Sequence, residues 1–171
     1  MKSLKYIISI TYGFLVLSLA SPSYAQQEGE LAHGAIEVTW GDFNKFRDVR
    51  AAAEPRGAFH KRVKQSFEKF FDESAKEVPQ GQVLLLEIRD IDLAGDVLPA
   101  GTNEVRIMKD LYFPRIEFAY KLTGADGKVI KEGEAKLKDM NYLYHEKDWK
   151  RYRQGFYYEK HMITEWLQDN L

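Results

Sequence analysis

The segment that decides the fold runs from residue 54 to residue 91 and reads EPRGAFHKRVKQSFEKFFDESAKEVPQGQVLLLEIRDI. Its first half has apolar residues at the three- and four-residue spacing that places them on one face of a helix, namely Phe59, Val63, Phe67, Phe70 and Phe71. Pro55 suits the first helical position, where its missing N–H is not needed, and Pro79 cannot continue a helix. The segment therefore predicts a long amphipathic helix between these two prolines.

A strand is predicted on each side of this helix. The stretch from Val83 to Ile91 begins with a continuous apolar run, which is typical of a strand covered on both faces. The stretch from Ile36 to Trp40 alternates apolar and polar residues, as a half-buried strand does. Because a helix between two strands usually forms a right-handed crossover, we expect the two strands to be parallel neighbours.

The second half of the chain predicts a hairpin and another helix. Residues 115–122 alternate, Gly124-Ala125-Asp126-Gly127 is a turn signal, and residues 128–137 form the returning strand. The other segments predict a loop over 98–101, a short strand over 105–111, irregular chain over 139–155 and a final helix over 156–168. Together they predict an α+β fold, a single twisted mixed β-sheet of about five strands in the order β-α-β-β-β-β-α, with two helices packed on one face.

The first 25 residues have the pattern of a cleaved signal peptide. Lys2 and Lys5 precede the mostly apolar stretch from Tyr6 to Ala20, and Ser23-Tyr24-Ala25 has the small-x-small pattern of a cleavage site. The apolar stretch is shorter than the roughly 20 residues that cross a bilayer. We therefore expect cleavage after Ala25, one mature domain over residues 26–171 without a transmembrane segment, and a periplasmic or secreted location.

The composition excludes several classes of function. The 171 residues include no cysteine, which excludes disulfides, thiol nucleophiles and thiolate metal sites. Loss of the two leader lysines changes the formal net charge from −1 to −3, so the mature domain has no overall field that attracts nucleic acid. We find no phosphate-binding glycine loop, G-x-S-x-G motif or H-E-x-x-H motif, and the sequence therefore predicts no cofactor and no catalytic nucleophile.

The segment Asp90–Asp96, DIDLAGD, begins like a calcium-binding loop. Ala94 and Gly101, however, occupy positions at which such a loop has an oxygen ligand and a bidentate glutamate. Two interpretations stay open. One is a metal site with Asp90, Asp92 and Asp96 as ligands, and the other is a structural turn in which the aspartates accept backbone N–H bonds.

Glu159 falls on the inward-facing stripe of the final helix, between Met162 and Trp166. A buried carboxylate is costly unless it pairs with a cation, accepts backbone N–H bonds or has a raised pKa. The strand residues available as partners are Arg89, Arg106 and Arg115. A structural ion pair and a catalytic or ligand-binding acid are both open interpretations.

The stretch from Tyr142 to His161 combines seven aromatic with five basic residues. Tyr, Trp and Arg are enriched in interface cores, and aromatic side chains also suit glycan rings or anionic lipid heads. Its predicted binding surface consists of Tyr144, Trp149, Arg151, Tyr152, Arg153 and Tyr157. The alternative is a long loop that its own aromatic side chains hold on the body of the protein.

The four histidines do not have the spacing of a metal site. His33 precedes the first strand, His60 and His161 belong to different predicted helices, and His145 belongs to the irregular segment. We expect them to be separate surface residues.

A series of short motifs occurs along the chain in a characteristic order. They are Val38-Thr39-Trp40, Pro79-x-Gly81-Gln82, residues 90–95 (DIDLAG), residues 106–110 (RIMKD), Pro114-Arg115-Ile116, residues 126–129 (DGKV), residues 137–142 (LKDMNY) and Tyr158-Glu159-Lys160. From Ile36 to Trp166 the chain resembles the family catalogued as domain of unknown function 3016, small exported proteins of Gram-negative bacteria. Lys109 stands where arginine is more usual. The resemblance implies export and a single domain, and assigns no activity or catalytic residue.

The leading functional hypothesis is a periplasmic binding or accessory module that contacts an envelope protein or glycan. Its surface would combine the aromatic–basic stretch with the segment Asp90–Asp96. The alternatives are a metal-assisted hydrolase that uses Asp90, Asp92 and Glu159, and a carrier of a small ligand. The sequence leaves the partner, the oligomeric state and any enzymatic activity open.

Overall fold

The computed structural model describes residues 33–171, and the predicted signal peptide lies outside the described residues. In chain order the elements are β1 (Ala35–Trp40), α1 (Arg56–Ser74), β2 (Val83–Asp92), β3 (Asp96–Ala100), β4 (Asn103–Ile107), β5 (Arg115–Thr123), β6 (Val129–Lys138), α2 (Trp149–Tyr152) and α3 (Tyr157–Asn170). None of the helices in this part of the chain has the length and apolar character needed to span a membrane.

Four strands form the main sheet in the spatial order β1-β2-β5-β6. β1 and β2 are parallel, with Ala35 opposite Val83, and the other two pairings are antiparallel. The crossover between the parallel strands is α1, which begins directly after Pro55 and ends five residues before Pro79. The predicted α+β class, the mixed sheet and the parallel β1–β2 pair are confirmed.

The remaining two strands form a separate hairpin. β3 pairs with β4 alone, so the main sheet has four strands and the chain has one strand more than predicted. Residues 98–100 lie in β3 and not in the predicted loop, because the turn comes later, at Gly101, whose φ of 65° is left-handed. Gly95, with φ of 78°, turns the chain away from β2 before this hairpin begins.

Both α1 and α3 pack against the same face of the main sheet, as predicted. Phe67 of α1 and Ile163 of α3 belong to one buried apolar cluster with Leu84, Ile88 and Phe118 of strands β2 and β5. A second, smaller buried cluster combines Ala94 with three tyrosines, Tyr142, Tyr157 and Tyr158. This second cluster attaches the segment after β6 to the beginning of α3.

The prediction that β2 is covered on both faces is wrong. Its side chains alternate between buried and accessible, and Leu85 on the open face is 36% exposed. The run from Leu84 to Leu86 therefore looks continuous because of a single outward-facing leucine. Charged pairs cover much of the rest of this open face, namely Arg89–Glu134 at 2.5 Å, Lys121–Glu132 at 3.3 Å and Lys136–Glu117 at 3.3 Å.

Candidate functional site

The two segments that the sequence analysis singled out meet at one cleft. The cleft has a volume of about 650 Å³ and lies between residues 51–54, the Leu93–Ala94 turn and residues 152–159. The side chains that define its chemistry are Phe59, Arg62, Arg106, Tyr152, Tyr158 and Glu159. Most of the lining is apolar or aromatic, and a few polar groups converge on it, which is the usual composition of a ligand site.

The chain enters α3 through two left-handed residues at this cleft. Gly155 has φ of 78°, and Phe156 has φ of 53° and ψ of 42°, which is an unfavourable conformation for a bulky side chain. The Phe156 ring packs against Phe59 and Phe67, with centroids 6.2 and 5.8 Å apart. The Arg62 guanidinium lies 5.6 Å from the same ring. This packing stabilises the strained entry, which directs the first turn of α3 towards the cleft.

Glu159 is a buried acid on that first turn. Its side chain is 2% exposed, and Oε1 accepts a 2.6 Å hydrogen bond from the backbone N–H of Ala94. Within the described residues it forms no ion pair, although Arg106 and Lys160 are close enough to favour its charged form. Burial outweighs these cations and the backbone hydrogen bonds, and it raises the pKa of Glu159. The carboxyl group of Glu159 is therefore satisfied by a backbone hydrogen bond and not by an ion pair with an arginine.

We expect the substitution Glu159→Gln to stabilise the protein at pH 7. Because the folded-state pKa is raised above the ordinary 4.5, the favourable contribution of the protonated acid is complete below pH 4.5 and is lost as the pH rises through the folded-state pKa. Glutamine carries no charge, and its amide oxygen can still accept the Ala94 N–H. The gain should shrink as the pH falls towards 4.5, which urea unfolding at a series of pH values would measure.

The exposed acid Asp169 on the same helix supplies a matched control. Asp169→Asn removes one negative charge from α3 at a solvent-exposed position and leaves the buried residues unchanged. It should therefore change the free energy of unfolding by less than about 0.5 kcal/mol. A Glu159→Gln protein that is less stable than wild type at pH 7 would contradict the argument, because the charged carboxylate would then be a net stabilising group.

Arg106 holds the backbone that surrounds the cleft. Its guanidinium reaches from β4 to Asp48 and to four backbone carbonyls, those of Arg50 at 2.6 Å, Gly95 at 2.7 Å, Ala94 at 3.2 Å and Leu93 at 3.4 Å. The Asp48 carboxylate lies 2.9 Å away. One side chain thus joins the turn after β2 to residues 48–50. It also orients the Ala94 peptide, whose N–H bonds to Glu159.

Beside the cleft, α2 and the residues that flank it present an aromatic–basic rim, which we define as Lys147, Trp149, Lys150, Tyr152 and Arg153. Trp149 is 65% exposed and contacts Tyr152 edge to face, with centroids 5.6 Å apart. The Lys147 ammonium lies 5.2 Å from the Tyr152 ring centroid. None of the three basic residues forms an ion pair with another described residue, so their charges are available to a partner.

The short helix α2 corrects the prediction that residues 139–155 are irregular. The Asp148 carboxylate caps it by accepting the backbone N–H groups of Lys150 at 2.9 Å and Arg151 at 3.2 Å. Asp148 is a favourable N-cap residue, and its position before the run WKRY was the sequence signal for this helix.

A family comparison agrees with the motifs quoted above. The family described as "Protein of unknown function (DUF3016)" matches residues 34–169, nearly all of the described chain. The chain belongs to the DUF3016 family. Among solved structures, the DUF3016 chain is similar to a minor lipoprotein from Acinetobacter baumannii, with 9% identity, coverage of 81% of this chain and 90% of that chain, and a TM-score of 0.25. No curated protein matches the chain.

Of the other predicted surface residues of the DUF3016 chain, Tyr144 and Arg151 lie outside the cleft, whereas Tyr157 lines the cleft and is buried. Tyr144 is 75% exposed, and its hydroxyl donates to Asp110 at 3.0 Å. Tyr157 is buried, and its hydroxyl donates to the Glu146 carbonyl at 3.2 Å and accepts the Asp148 N–H at 3.3 Å. Arg151 lies 3.5 Å from Asp148.

The three aspartates that were candidate metal ligands each contact an arginine. Asp90 accepts the backbone N–H of Arg47 at 2.7 Å, Asp92 pairs with Arg115, and Asp96 lies 3.4 Å from Arg50. Over residues 33–171, no group of three or more His, Cys, Asp or Glu side chains is arranged to hold a metal ion. These contacts favour the structural interpretation of the acidic segment.

Two histidines of the DUF3016 chain are closer together than expected. The rings of His145 and His161 lie 5.1 Å apart, and His145 Nε2 is 2.9 Å from a carboxylate oxygen of Asp139. The prediction of separate histidines is wrong for this pair, because the segment after β6 folds back against α3. Their sequence spacing carries no signal of this contact.

Proposed function

We propose that this DUF3016 protein is an exported binding module of the bacterial envelope, which holds a partner protein or an envelope polymer in the cleft and against the aromatic–basic rim. The observation that carries the proposal is the convergence of the Leu93–Ala94 turn and the Tyr152–Glu159 segment on one cleft. The exported, periplasmic location is part of the proposal and is supported by the signal-peptide pattern of residues 1–25.

The chemistry of the cleft supports binding more than catalysis. No serine, threonine, cysteine or histidine is among the described residues that line it. Its buried acid, Glu159, already accepts the Ala94 N–H, and the Arg106 guanidinium is occupied by Asp48 and backbone carbonyls. Both groups are arranged to hold the walls of the cleft in place.

The rim supports a partner with acidic groups. Trp149, which is 65% exposed, and Tyr152, which is 38% exposed, offer aromatic surface for stacking. Lys147, Lys150 and Arg153 add charges without ion-pair partners among the described residues. Because the mature chain is slightly acidic overall, this basic rim is a local feature and not a consequence of net charge. An acidic segment of an envelope protein or an acidic glycan would complement it.

In-cell photocrosslinking tests the proposal. A photoreactive amino acid at position 149 or 152 of the tagged full chain should capture one dominant envelope partner, identified by mass spectrometry or by glycan staining. The matched control is the same amino acid at Ile130, which is 56% exposed on the edge strand β6 and does not line the cleft. Equal patterns from the cleft and control positions, or no captured partner from either, would overturn the proposal.

A further inference from the structure

A second pair of reactive groups lies between α1 and α3. The Lys160 ammonium nitrogen is 2.8 Å from the hydroxyl oxygen of Ser66, although the two residues are 94 positions apart in the chain. Lys160 is only 9% exposed. An amine and a hydroxyl at hydrogen-bond distance form the kind of pair in which one group can transfer a proton for the other.

Lys160 is buried without a carboxylate partner. Its Nζ lies 5.8 and 6.0 Å from the ring centroids of Phe67 and Phe156, and within the described residues it forms no ion pair. Burial lowers the pKa of Lys160, and the negative charges of Glu159 and Glu73 oppose this effect only in part. The lowered pKa makes the neutral, nucleophilic form of this amine more accessible than in a solvated lysine.

A crevice gives access to both groups. It has a volume of about 140 Å³ and is lined by Ser66, Lys69, Phe70, Glu73, Gln154 and Lys160. A cavity of roughly 150 Å³ is large enough for a molecule such as benzene, so this crevice suits only small ligands. A second crevice of about 120 Å³ reaches Lys160 from the side of His161 and Thr164.

We propose that Lys160 is a nucleophilic amine that forms an imine with a small aldehyde or ketone, and that Ser66 transfers the proton. The Nζ lone pair attacks the carbonyl carbon, and the carbonyl π electrons move to oxygen. Ser66 takes a proton from Nζ and passes one to this oxygen. The nitrogen lone pair then forms the C=N bond as the hydroxyl group leaves, and Ser66 passes the remaining Nζ proton to this hydroxyl, which departs as water. The net change is amine plus carbonyl compound to imine plus water, and no oxidant or reductant is consumed.

Reductive trapping tests this proposal on the full chain. With acetaldehyde and cyanoborohydride, an imine becomes a stable ethylated lysine, which peptide mass spectrometry locates. Lys69 is the matched control because it lines the same crevice but is exposed and lies 3.7 Å from Glu73. At pH 7 we expect Lys160 to be ethylated about tenfold faster than Lys69, since a neutral amine reacts and an ammonium ion does not.

The pH profile separates a reactive amine from a merely exposed one. Ethylation of Lys160 should persist to lower pH than ethylation of Lys69. The charged or titratable groups that surround the two crevices are Lys69, Glu73, Lys76 and Glu77 from α1 and the turn after it, Arg151 from the segment before α3, and Glu159 and His161 from α3. Equal rates for the two lysines, or identical pH profiles, would overturn the assignment of Lys160.

Two substitutions test the role of Ser66. Ser66→Ala should slow ethylation of Lys160 by roughly 100-fold if the hydroxyl transfers the proton. Ser66→Thr keeps a hydroxyl and should restore most of the rate. A rate that is unchanged in the alanine variant would overturn the proton-transfer role. The trapping reaction needs no envelope partner, so its result is independent of the photocrosslinking result.

Discussion

Replacement of Arg106 by alanine is expected to lower the melting temperature by about 10 °C, which corresponds to about 3 kcal/mol at roughly 3 °C per kcal/mol for a domain of this size. The substitution leaves Asp48 without its cation and removes the donors to the carbonyls of Arg50, Leu93, Ala94 and Gly95. An unpaired, largely buried charge costs more than the lost attraction itself. Thermal melting followed by circular dichroism would measure the change.

The variant Arg106→Lys is the matched control. Lysine keeps the positive charge near Asp48 but cannot direct a planar set of donors at several carbonyls. We expect its melting temperature to lie between those of wild type and Arg106→Ala. A melting temperature of Arg106→Ala within about 2 °C of wild type would show that the cleft walls are held by other contacts.

Simultaneous replacement of Trp149, Tyr152 and Arg153 by alanine is expected to abolish partner capture. Because positions 149 and 152 are alanine in this variant, the photoreactive amino acid is placed instead at Gln154, an exposed neighbour of the rim. Because all three side chains are exposed, the melting temperature should fall by no more than about 3 °C, or roughly 1 kcal/mol. Capture yield and thermal melting are measured on the same protein.

A control triple variant on β6 distinguishes a specific surface from general loss of exposed side chains. Val129, Ile130 and Lys131 supply two exposed apolar residues and one basic residue at the edge of the main sheet. Their replacement by alanine should leave capture unchanged. A large fall in melting temperature for the rim variant would instead support the alternative in which the rim residues attach the loop to the body.

Much of the fold could be predicted because its signals are local. The spacing of Phe59, Val63, Phe67 and Phe71 predicts α1, and the alternation of residues 115–122 predicts β5. The open face of β2 was missed because one outward leucine, Leu85, makes the run look continuous. Of the β3–β4 hairpin, β4 overlaps the short strand predicted over 105–111, whereas β3 was missed because Pro99 and Gly101 indicate a loop.

The candidate site was predicted only in part. Glu159, Tyr152 and Tyr157 were singled out from the sequence, and all three line the cleft. Tyr144 lies elsewhere, and the left-handed conformation of Phe156 has no sequence signal, because glycine is the residue usually found there. The pairing of Ser66 with Lys160 was not foreseen either, since both residue types are ordinary on helix surfaces.

The sequence by itself determined the longer secondary structure elements, the faces of α1 and β5 and the absence of cysteine chemistry. These properties follow from residue type and from spacings of two to four positions. The tertiary structure alone decided which distant groups meet. The Ala94 N–H bonds to Glu159 across 65 positions, and Lys160 reaches Ser66 across 94. Such contacts depend on how packed elements are oriented, because the burial of apolar faces brings polar groups together that have no periodic relation in the chain.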